Sequence, residues 1–403
     1  MSPKIAYVSI GSAGHVYPSL PLVRMLAERG HRVGYFAPSW AAEMVSRVRC
    51  EHRVYASYIL QAPPGRVNGF RGEGMPALVA REIRTAIGEL LEQLAKFGPD
   101  AVIYDGFTYA GKLAGERLGV PLIQSETSYL LTQETNFYRE TEAGRLRGRL
   151  MSSASLAEFD SLMGPVFQEL GLPARGFLDL VESPAKRRIV FVARAFHPHA
   201  EEYDSGTVFV GPSLSEEVRP AKGTGAFPER TGRKFVYVSF GSVISFQPAF
   251  YHAIAEASRE LDVDLVLSVG ERFAALPWCD RPSNVTLFPV VRQINALRRV
   301  DAFVGHGGMG GTMESLALGV PMLVVPHSPE QLFTGRRVAE LGLGRCLDPD
   351  DASILRIRKE LTELLSEPAY RQRAQAFAPD IAVGGSLSNA CDLVEGVTRG
   401  PRV

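Results

Sequence analysis

The chain has 403 residues, and its 44 Lys and Arg residues are balanced by 44 Asp and Glu residues. This length predicts two or three domains, each large enough to bury its own core. The 45% hydrophobic and 22% charged residues are average for globular proteins, which excludes a wholly disordered, collagen-like or coiled-coil chain. The zero formal charge argues against nucleic acid as the main partner, because phosphate-binding proteins usually carry a basic excess.

Four isolated cysteines indicate free thiols rather than a disulfide framework or a metal site. Cys50, Cys279, Cys346 and Cys391 form no C-x-x-C pair, so we expect buried thiols in a reducing compartment. The apolar run at residues 5–10 is too short for a signal peptide, and no stretch approaches the roughly 20 apolar residues that span a bilayer. The sequence therefore predicts a cytoplasmic protein without stable membrane insertion, either a monomer or a homodimer.

A repeated segment organises the chain. Residues 4–12 (K-I-A-Y-V-S-I-G-S) match residues 234–242 (K-F-V-Y-V-S-F-G-S) at six of nine positions. Each copy is a continuous apolar run that ends in Gly-Ser before a helical pattern, which is typical of a buried parallel strand and the helix after it. The two copies therefore predict the first strands of two similar domains.

Alternating strand and helix patterns follow the first copy. Strands are predicted at residues 32–37, 53–56, 101–105 and 121–124, and helices at residues 41–47, 76–95 and 108–118. Residues 58–75 and 126–149 do not fit this alternation. Because long irregular loops in a compact domain are usually functional or mobile, we expect functional loops in this half of the chain.

The same alternation follows the second copy. Strands are predicted at residues 263–269, 285–288, 302–305 and 321–325, and helices at residues 293–298, 310–318, 331–341 and within 353–397. The predicted fold class is α/β, with two doubly wound Rossmann-like domains in tandem that face an interdomain cleft. The expected parts are an N-terminal domain (1–212), a Pro-, Gly- and Ser-rich linker (213–233), a C-terminal domain (234–380) and a final helix (381–403) that can pack back on the first domain.

A glycine-rich loop ends the strand predicted at residues 302–305. The segment V-G-H-G-G-M-G-G-T-M-E-S (304–315) opens a helix, so its backbone N–H groups and the helix dipole favour an anion such as phosphate. His306 is placed to add a donor, and Glu314 to accept hydrogen bonds from a ribose diol. A tight turn that needs glycine for steric reasons is the alternative interpretation. The chain has no P-loop and no G-x-S-x-G motif, which disfavours a P-loop nucleotidase and an α/β-hydrolase.

A histidine and an aspartate follow two strands of the first half. His15 closes the segment G-S-A-G-H (11–15), and Asp105 ends the strand predicted at residues 101–105. Ligands of open α/β sheets bind beyond the carboxyl ends of the strands, so both side chains are expected at one crevice. An imidazole suits a general base near neutral pH, and a carboxylate behind it fixes its tautomer. The pair therefore predicts base catalysis, with a helix-cap role for Asp105 as the structural alternative.

Together these motifs resemble the nucleotide-sugar glycosyltransferases of the GT-B fold, and most closely the bacterial macrolide glycosyltransferases that glucosylate antibiotics. The resemblance covers nearly the whole chain. The matching segments are G-H-V-Y-P-S-L (14–20), Y-D-G-F-T (104–108), S-F-G-S (239–242), Q-P-A-F-Y (247–251), G-H-G-G-M-G-G-T-M-E-S (305–315) and P-E-Q (329–331).

The resemblance implies a role for each matching residue. His15 looks like the base that deprotonates the acceptor hydroxyl, Asp105 looks like its partner, and direct attack inverts the anomeric carbon. The diphosphate would lie against Ser242, His306 and the backbone of residues 310–312, the ribose against Glu314, and the donor sugar against Glu330 and Gln331. The predicted donor-binding residues are Ser242, Val291, His306, Gly308, Gly310, Gly311, Thr312, Glu314, Glu330 and Gln331. No metal and no cofactor other than the sugar nucleotide is implied.

Two positions depart from the family pattern. Members commonly have W-x-P-Q before the H-G-G strand, with the Trp stacked on the base, whereas this chain has P-V-V-R-Q (289–293), which places Val290 at the Trp position. The usual Asp-Gln pair is Glu330-Gln331, one methylene longer. UDP-glucose is the expected donor, and a dTDP-deoxysugar is the alternative.

The expected acceptor is a small hydrophobic natural product such as a macrolide or another antibiotic. Aromatic residues of the first half are predicted to form an apolar wall for it. They are Tyr17, Phe70, Phe107, Tyr129 and Phe137. Two other functions remain open from the sequence: a GT-B epimerase or hydrolase of sugar nucleotides, and a non-catalytic homologue that binds a sugar nucleotide.

Overall fold

The protein is described by a computed structural model covering residues 2–59, 74–132, 135–136, 151–215, 218, 227–229, 231–241, 247–382 and 387–399. The chain divides into two compact units. Unit 1 comprises Met1–Arg219 with Val383–Val403, and unit 2 comprises Pro220–Ala382. The segment predicted as a linker, residues 213–233, falls on both sides of this division.

Unit 1 is built on a seven-stranded, wholly parallel sheet in the order β3-β2-β1-β4-β5-β6-β7. Its strands are β1 (Lys4–Val8), β2 (Arg32–Phe36), β3 (Glu51–Arg53), β4 (Ala101–Asp105), β5 (Leu122–Glu126), β6 (Arg187–Val190) and β7 (Thr207–Phe209). Its helices before residue 200 are α1 (Ala13–Glu28), α2 (Ala42–Val45), α3 (Met75–Phe97), α4 (Tyr109–Leu118), α5 (Ser153–Leu170) and α6 (Phe177–Val181). All five residues of β4 are buried, as expected for a central strand covered on both faces.

The sequence misplaced or missed several elements of unit 1. The strand predicted at residues 53–56 is wrong, because β3 (Glu51–Arg53) pairs two residues earlier, with Gly34 of β2 opposite Glu51. Its three residues are only half-buried at the sheet edge, so no apolar run marks them. Strands β6 and β7 and helices α5 and α6 were not predicted from the sequence. The two strands are only four and three residues long, which leaves little pattern to detect.

Unit 2 contains a six-stranded parallel sheet in the order β10-β9-β8-β11-β12-β13. Its strands are β8 (Lys234–Ser239), β9 (Val263–Ser268), β10 (Val285–Phe288), β11 (Ala302–Gly305), β12 (Met322–Val324) and β13 (Gly344–Cys346). Its helices are α7 (Pro248–Ser258), α8 (Gly270–Ala274), α9 (Gln293–Leu297), α10 (Met309–Ala317), α11 (Pro329–Glu340), α12 (Ile354–Ser366) and α13 (Pro368–Ala382). Two Rossmann-like α/β units are thus confirmed, and the repeated segments form β1 and β8, which occupy equivalent places in the two sheets.

The last helix, α14 (Leu387–Arg399), belongs to unit 1 although it follows unit 2 in the chain. Its buried side chains Ala390, Cys391 and Val394 join the core that α1 and the sheet form. Arg29, which follows α1, lies 2.5 Å from a carboxylate oxygen of Asp392. An apolar face and an ion pair therefore hold the two helices together.

Among the residues that the structure describes, no helix is both long and apolar enough to span a bilayer. The four cysteines are all free thiols. Cys391 is buried, whereas Cys279 is exposed, so the prediction of burial is wrong for Cys279.

Candidate active site

The first group of site residues lies where the strand order of unit 1 reverses. β1 pairs with β2 on one side and with β4 on the other, so the helices after β1 and β4 leave on opposite faces of the sheet. His15 lies in the first turn of α1, directly after β1, and Asp105 is the last residue of β4. This is the switch point at which open α/β sheets bind their ligands.

The structure brings His15 and Asp105 into direct contact. Nδ1 of His15 lies 2.7 Å from Oδ2 of Asp105. The Asp105 side chain is 1% exposed, whereas the His15 side chain is 20% exposed. A carboxylate only accepts hydrogen bonds, so Nδ1 carries the proton of the neutral imidazole and Nε2 carries the lone pair. The imidazole is thus set up to take a proton at Nε2.

Several neighbours fix this pair. The backbone N–H of Phe107 donates to Oδ1 of Asp105 at 2.9 Å. Oγ1 of Thr127 lies 3.2 Å from Nδ1 of His15, and the Phe107 ring meets the imidazole edge-on with centroids 5.4 Å apart. The Trp40 indole donates to the Gly11 carbonyl at 3.1 Å and supports the loop that leads into α1. The rotamer of His15 is therefore fixed from several sides.

Sequence reasoning missed Thr127 and Trp40. The register of the sheet is the signal that could have revealed Thr127, because β5 pairs with β4 and ends at the same edge as Asp105. Trp40 follows β2 and is 39% exposed, an unusual fraction for so large an apolar side chain.

The predicted acceptor wall is only partly formed by the described residues. Tyr17 and Phe107 are half-buried at the carboxyl edge of the sheet. Tyr129, however, is 1% exposed and stacks on Phe196. Its assignment to the acceptor wall is corrected: Tyr129 is a core residue, and its ring packs against residues about 70 positions later in the chain. Phe70 and Phe137 lie outside the described residues.

The second group of site residues lies at the equivalent switch point of unit 2, between β8 and β11. His306 follows β11, and its imidazole lies between two glycines. A Cβ on Gly241, after β8, would lie 3.0 Å from Cε1 of His306, and a Cβ on Gly308 would overlap its Nε2. Gly241 also has φ +68, a conformation that favours glycine. The glycines of S-F-G-S and H-G-G therefore make room for one histidine.

The imidazole of His306 is neutral at physiological pH and can donate a hydrogen bond. Burial, together with the nearby His327, lowers the pKa of His306 to about 4. Burial also lowers the pKa of His327. The two follow neighbouring strands β11 and β12, and both rings pack near Phe240. A neutral imidazole carries one N–H group and can donate one hydrogen bond to an oxyanion.

The N-terminus of α10 begins one residue earlier than predicted, at Met309. The N–H of Thr312 donates to the Gly308 carbonyl at 3.0 Å, and the Thr312 hydroxyl donates to the same oxygen at 3.1 Å. Both donors of Thr312 are thus used inside the helix, and its contact with the diphosphate stays a prediction. The N–H groups of Gly310 and Gly311 precede that first intrahelical bond and point out of the helix end.

The other predicted donor residues have partners within unit 2. Glu314 is buried, and its carboxylate accepts from Nε2 of Gln293 at 2.7 Å. Oε1 of Gln331 accepts from the backbone N–H of His327 at 2.8 Å. Glu330 lies in the first turn of α11, which begins at Pro329. Gln293 is a further residue that sequence reasoning did not single out, although it closes the segment P-V-V-R-Q.

Val290 and Val291 differ in exposure: Val290 is 41% exposed, and Val291 is buried. Ser242, predicted to hold the diphosphate, lies outside the described residues. In the described part of the chain, one cluster has the spacing of metal ligands, formed by His199, Glu201 and Glu202, and all three are exposed. Such exposed acidic groups are common without a bound ion.

These two units, one with a histidine held by a buried aspartate and one with a glycine-rich helix end beside a neutral histidine, fit a transferase that uses sugar nucleotides. Residues 252–388 match the C-terminal domain of the erythromycin biosynthesis protein CIII-like family. NDP-glycosyltransferase YjiC of Bacillus licheniformis is 30% identical over 396 residues, which cover 97% of this chain and 96% of that relative.

The oleandomycin glycosyltransferase of Streptomyces antibioticus is 29% identical over 413 residues, which cover 97% of this chain and 90% of that relative. The crystal structure of the kitacinnamycin glycosyltransferase superimposes with a TM-score of 0.84 at 28% identity and covers 99% of this chain and 100% of that one. The chain belongs to the nucleotide-sugar glycosyltransferase family of the GT-B fold. It is a metal-independent, inverting glycosyltransferase of the macrolide and natural-product type.

Proposed function

We propose that this enzyme transfers glucose from UDP-glucose to a hydroxyl group of a hydrophobic natural product such as a macrolide. The observation that carries the proposal is the 2.7 Å contact between His15 and the buried Asp105 at the switch point of unit 1. That pair supplies a base at the place where an open α/β sheet receives its ligand.

The proposed reaction is a single displacement. Nε2 of His15 takes the proton of the acceptor hydroxyl while its oxygen forms a bond to the anomeric carbon. The bond from that carbon to the diphosphate oxygen breaks, its electron pair leaves with the nucleoside diphosphate, and the α-linked sugar becomes a β-glycoside. Asp105 stabilises the imidazolium that forms.

The leaving group is stabilised by unit 2 in this proposal. Negative charge grows on the diphosphate as the bond breaks, and donors that are already in place stabilise it most effectively. His306 and the N–H groups of Gly310 and Gly311 would supply those donors, together with the positive end of the α10 dipole. No cofactor besides the donor is required, so activity should persist in excess EDTA.

The acceptor class rests on the apolar side chains around the base. Phe107 contacts the imidazole, and Tyr17 and Trp40 are half-buried or exposed at the same edge of the sheet. One relative is named for oleandomycin glycosylation, which supports an antibiotic acceptor.

A dTDP-deoxysugar donor is the second candidate, because Val290 departs from the family pattern at the position that contacts the base and so leaves the nucleobase open. The resemblance places a base-stacking Trp at this position, whereas Val290 is 41% exposed and has no ring to stack on a pyrimidine. The pocket for the base is therefore not the usual one for UDP.

A donor-by-acceptor screen read by mass spectrometry tests the proposal. UDP-glucose, dTDP-glucose and a dTDP-deoxysugar are each combined with macrolide and polyphenol acceptors, with His15→Gln as the control. A product that gains one hexose from UDP-glucose, with a β linkage by NMR, is expected. Product formed solely from a dTDP-sugar would refute UDP-glucose as the donor and support the second candidate. An α linkage in the product would contradict the single displacement.

A further inference from the structure

A second carboxyl group, Glu126, lies beside the His15–Asp105 pair and has no part in the proposed reaction. It is the last residue of β5, the strand that pairs with β4, and Asp105 is opposite Ser125 in that ladder. The Glu126 side chain is buried, with 4% of the residue exposed. Burial of an acidic side chain is costly unless a function or a network of bonds compensates for it.

Glu126 is held by hydrogen bonds to neighbours in its own segment and by close packing against the residue after Asp105. Its Oε1 accepts from the backbone N–H of Ser128 at 3.2 Å, and its Oε2 accepts from Nε2 of Gln124 at 3.3 Å. A Cβ on Gly106 would overlap Oε2 of Glu126. The carboxyl group therefore rests against the Cα that directly follows Asp105, and glycine at residue 106 is what allows this approach.

Few charges act on Glu126. Asp105 acts on it from β4, as does the buried phenol of Tyr104, and His15 acts on it from α1, while its ladder neighbour on β6 is the apolar Val190. Burial, and then the charge of Asp105, raise the pKa of Glu126 to about 8, against a smaller opposite effect from His15. At neutral pH the group is mostly the uncharged acid, and it ionises at alkaline pH.

We propose that Glu126 is a positioning residue for the His15–Asp105 pair. It supports the turn after Asp105, and its protonation state sets whether one or two negative charges lie beside the imidazole. The inference rests on the proposed function in one respect, the role of His15 as the base. With Glu126 protonated, Asp105 alone polarises the imidazole. Ionisation of Glu126 adds a second negative charge, which makes His15 a stronger base.

An NMR titration of the whole protein tests this coupling. The ring signals of His15 are assigned by their loss in His15→Gln. In the wild type they should show a main inflection for His15 and a second inflection at about pH 8, the value to which the pKa of Glu126 is raised. Glu126→Gln keeps the shape and the acceptors but cannot ionise, so the second inflection should vanish while the first remains.

A matched control is available in the same unit. Glu82 is also buried, and burial raises its pKa, but its carboxylate accepts from Ser57, Tyr58 and Ile59 instead of facing the pair. Glu82→Gln should leave both inflections of His15 in place. The single-turnover rate of the wild type should rise about threefold across the second inflection, and that rise should be absent in Glu126→Gln with donor KM unchanged.

A direct measurement on the wild type covers the case in which Glu126→Gln does not fold. The carboxyl carbon of Glu126 in labelled protein should titrate at about pH 8, as its raised pKa requires. A titration near the ordinary value of a glutamate, a single inflection for His15, or a second inflection that survives in Glu126→Gln would overturn the inference. Full activity of His15→Gln would instead refute the base assignment, and the His15 titration would still report on Glu126.

Discussion

Replacing Asp105 by Asn changes one atom of the contact with His15 and reverses the direction of its hydrogen bond. The backbone N–H of Phe107 donates to Oδ1 of Asp105, so the amide oxygen of Asn is held at that position. The amide nitrogen then faces Nδ1 of His15 at the site where Oδ2 lies 2.7 Å away in the wild type. Because an amide nitrogen only donates, Nδ1 must become the acceptor and Nε2 receives the proton. The base is thereby lost in the resting enzyme.

The magnitude follows from the bonds that are exchanged. A hydrogen bond to a charged group contributes about 1.5–3 kcal/mol, and each 1.36 kcal/mol changes a rate about tenfold. The same substitution in a Ser-His-Asp triad lowers kcat about 10⁴-fold. Oγ1 of Thr127, 3.2 Å from Nδ1, can accept the Nδ1 proton and retain some of the active tautomer. We therefore expect Asp105→Asn to lower kcat about 10²- to 10³-fold.

The assay is the initial rate of glycoside formation at saturating donor, with calorimetry to measure donor binding. Donor affinity should be unchanged, because Asp105 lies in unit 1 and the predicted donor residues lie in unit 2. Thr127→Val removes a neutral partner worth about 0.5–1.5 kcal/mol and should lower kcat about two- to tenfold. Asp105→Asn with more than a tenth of the wild-type kcat would refute the tautomer argument.

Three further predictions concern donor binding and stability. Gly308→Ala places a Cβ on the His306 imidazole. Because an ionic hydrogen bond to the diphosphate is then lost, UDP binding measured by calorimetry should weaken about tenfold or more. Gly88→Ala, whose Cβ meets open space, is the control. Val290→Trp should tighten UDP binding at least fivefold if a base stacks there, since such stacking contributes about 1–3 kcal/mol. Burial lowers the pKa of Lys112 to about 8, so unfolding free energy relative to Lys112→Met should increase from about pH 8 to 10, by up to about 3 kcal/mol.

Each of these has a contrary result. Unchanged UDP affinity in Gly308→Ala would place the diphosphate away from His306, and unchanged affinity in Val290→Trp would place the base elsewhere. For Lys112 the sign is fixed: the folded state disfavours the ammonium, so the unfolded state binds more protons between the two pKa values and stability rises with pH. A difference that falls with pH in urea unfolding would contradict this account.

The central strands and both switch points could be predicted from the sequence, because a strand covered on both faces is a continuous apolar run. The apolar run at β1 and the segment G-S-A-G-H after it located His15, and the glycine-rich loop after β11 located His306. Edge strands such as β3 (Glu51–Arg53) carry no such run, since their residues are polar and only partly buried.

Other features of the site could not be predicted, for a different reason. Whether an aromatic side chain lines a pocket or the core depends on partners that are distant in sequence, as Phe196 and His197 are from Tyr129. Whether an N–H is available depends on where a helix starts, and a shift of one residue placed the donors of Thr312 inside α10. Glu126 was hidden for a similar reason, since only the strand register brings it to Asp105.

The return of α14 to unit 1 has a consequence for how the protein is synthesised. Ala390, Cys391 and Val394 complete a core whose other members begin at Ile5. On the ribosome, unit 2 emerges as one contiguous segment, whereas unit 1, although made first, can complete its core only when nearly the whole chain has been made. Until then, the surface of α1 that α14 covers stays exposed as an apolar patch, a target for chaperones. An excised unit 1 would need this helix fused to residue 219.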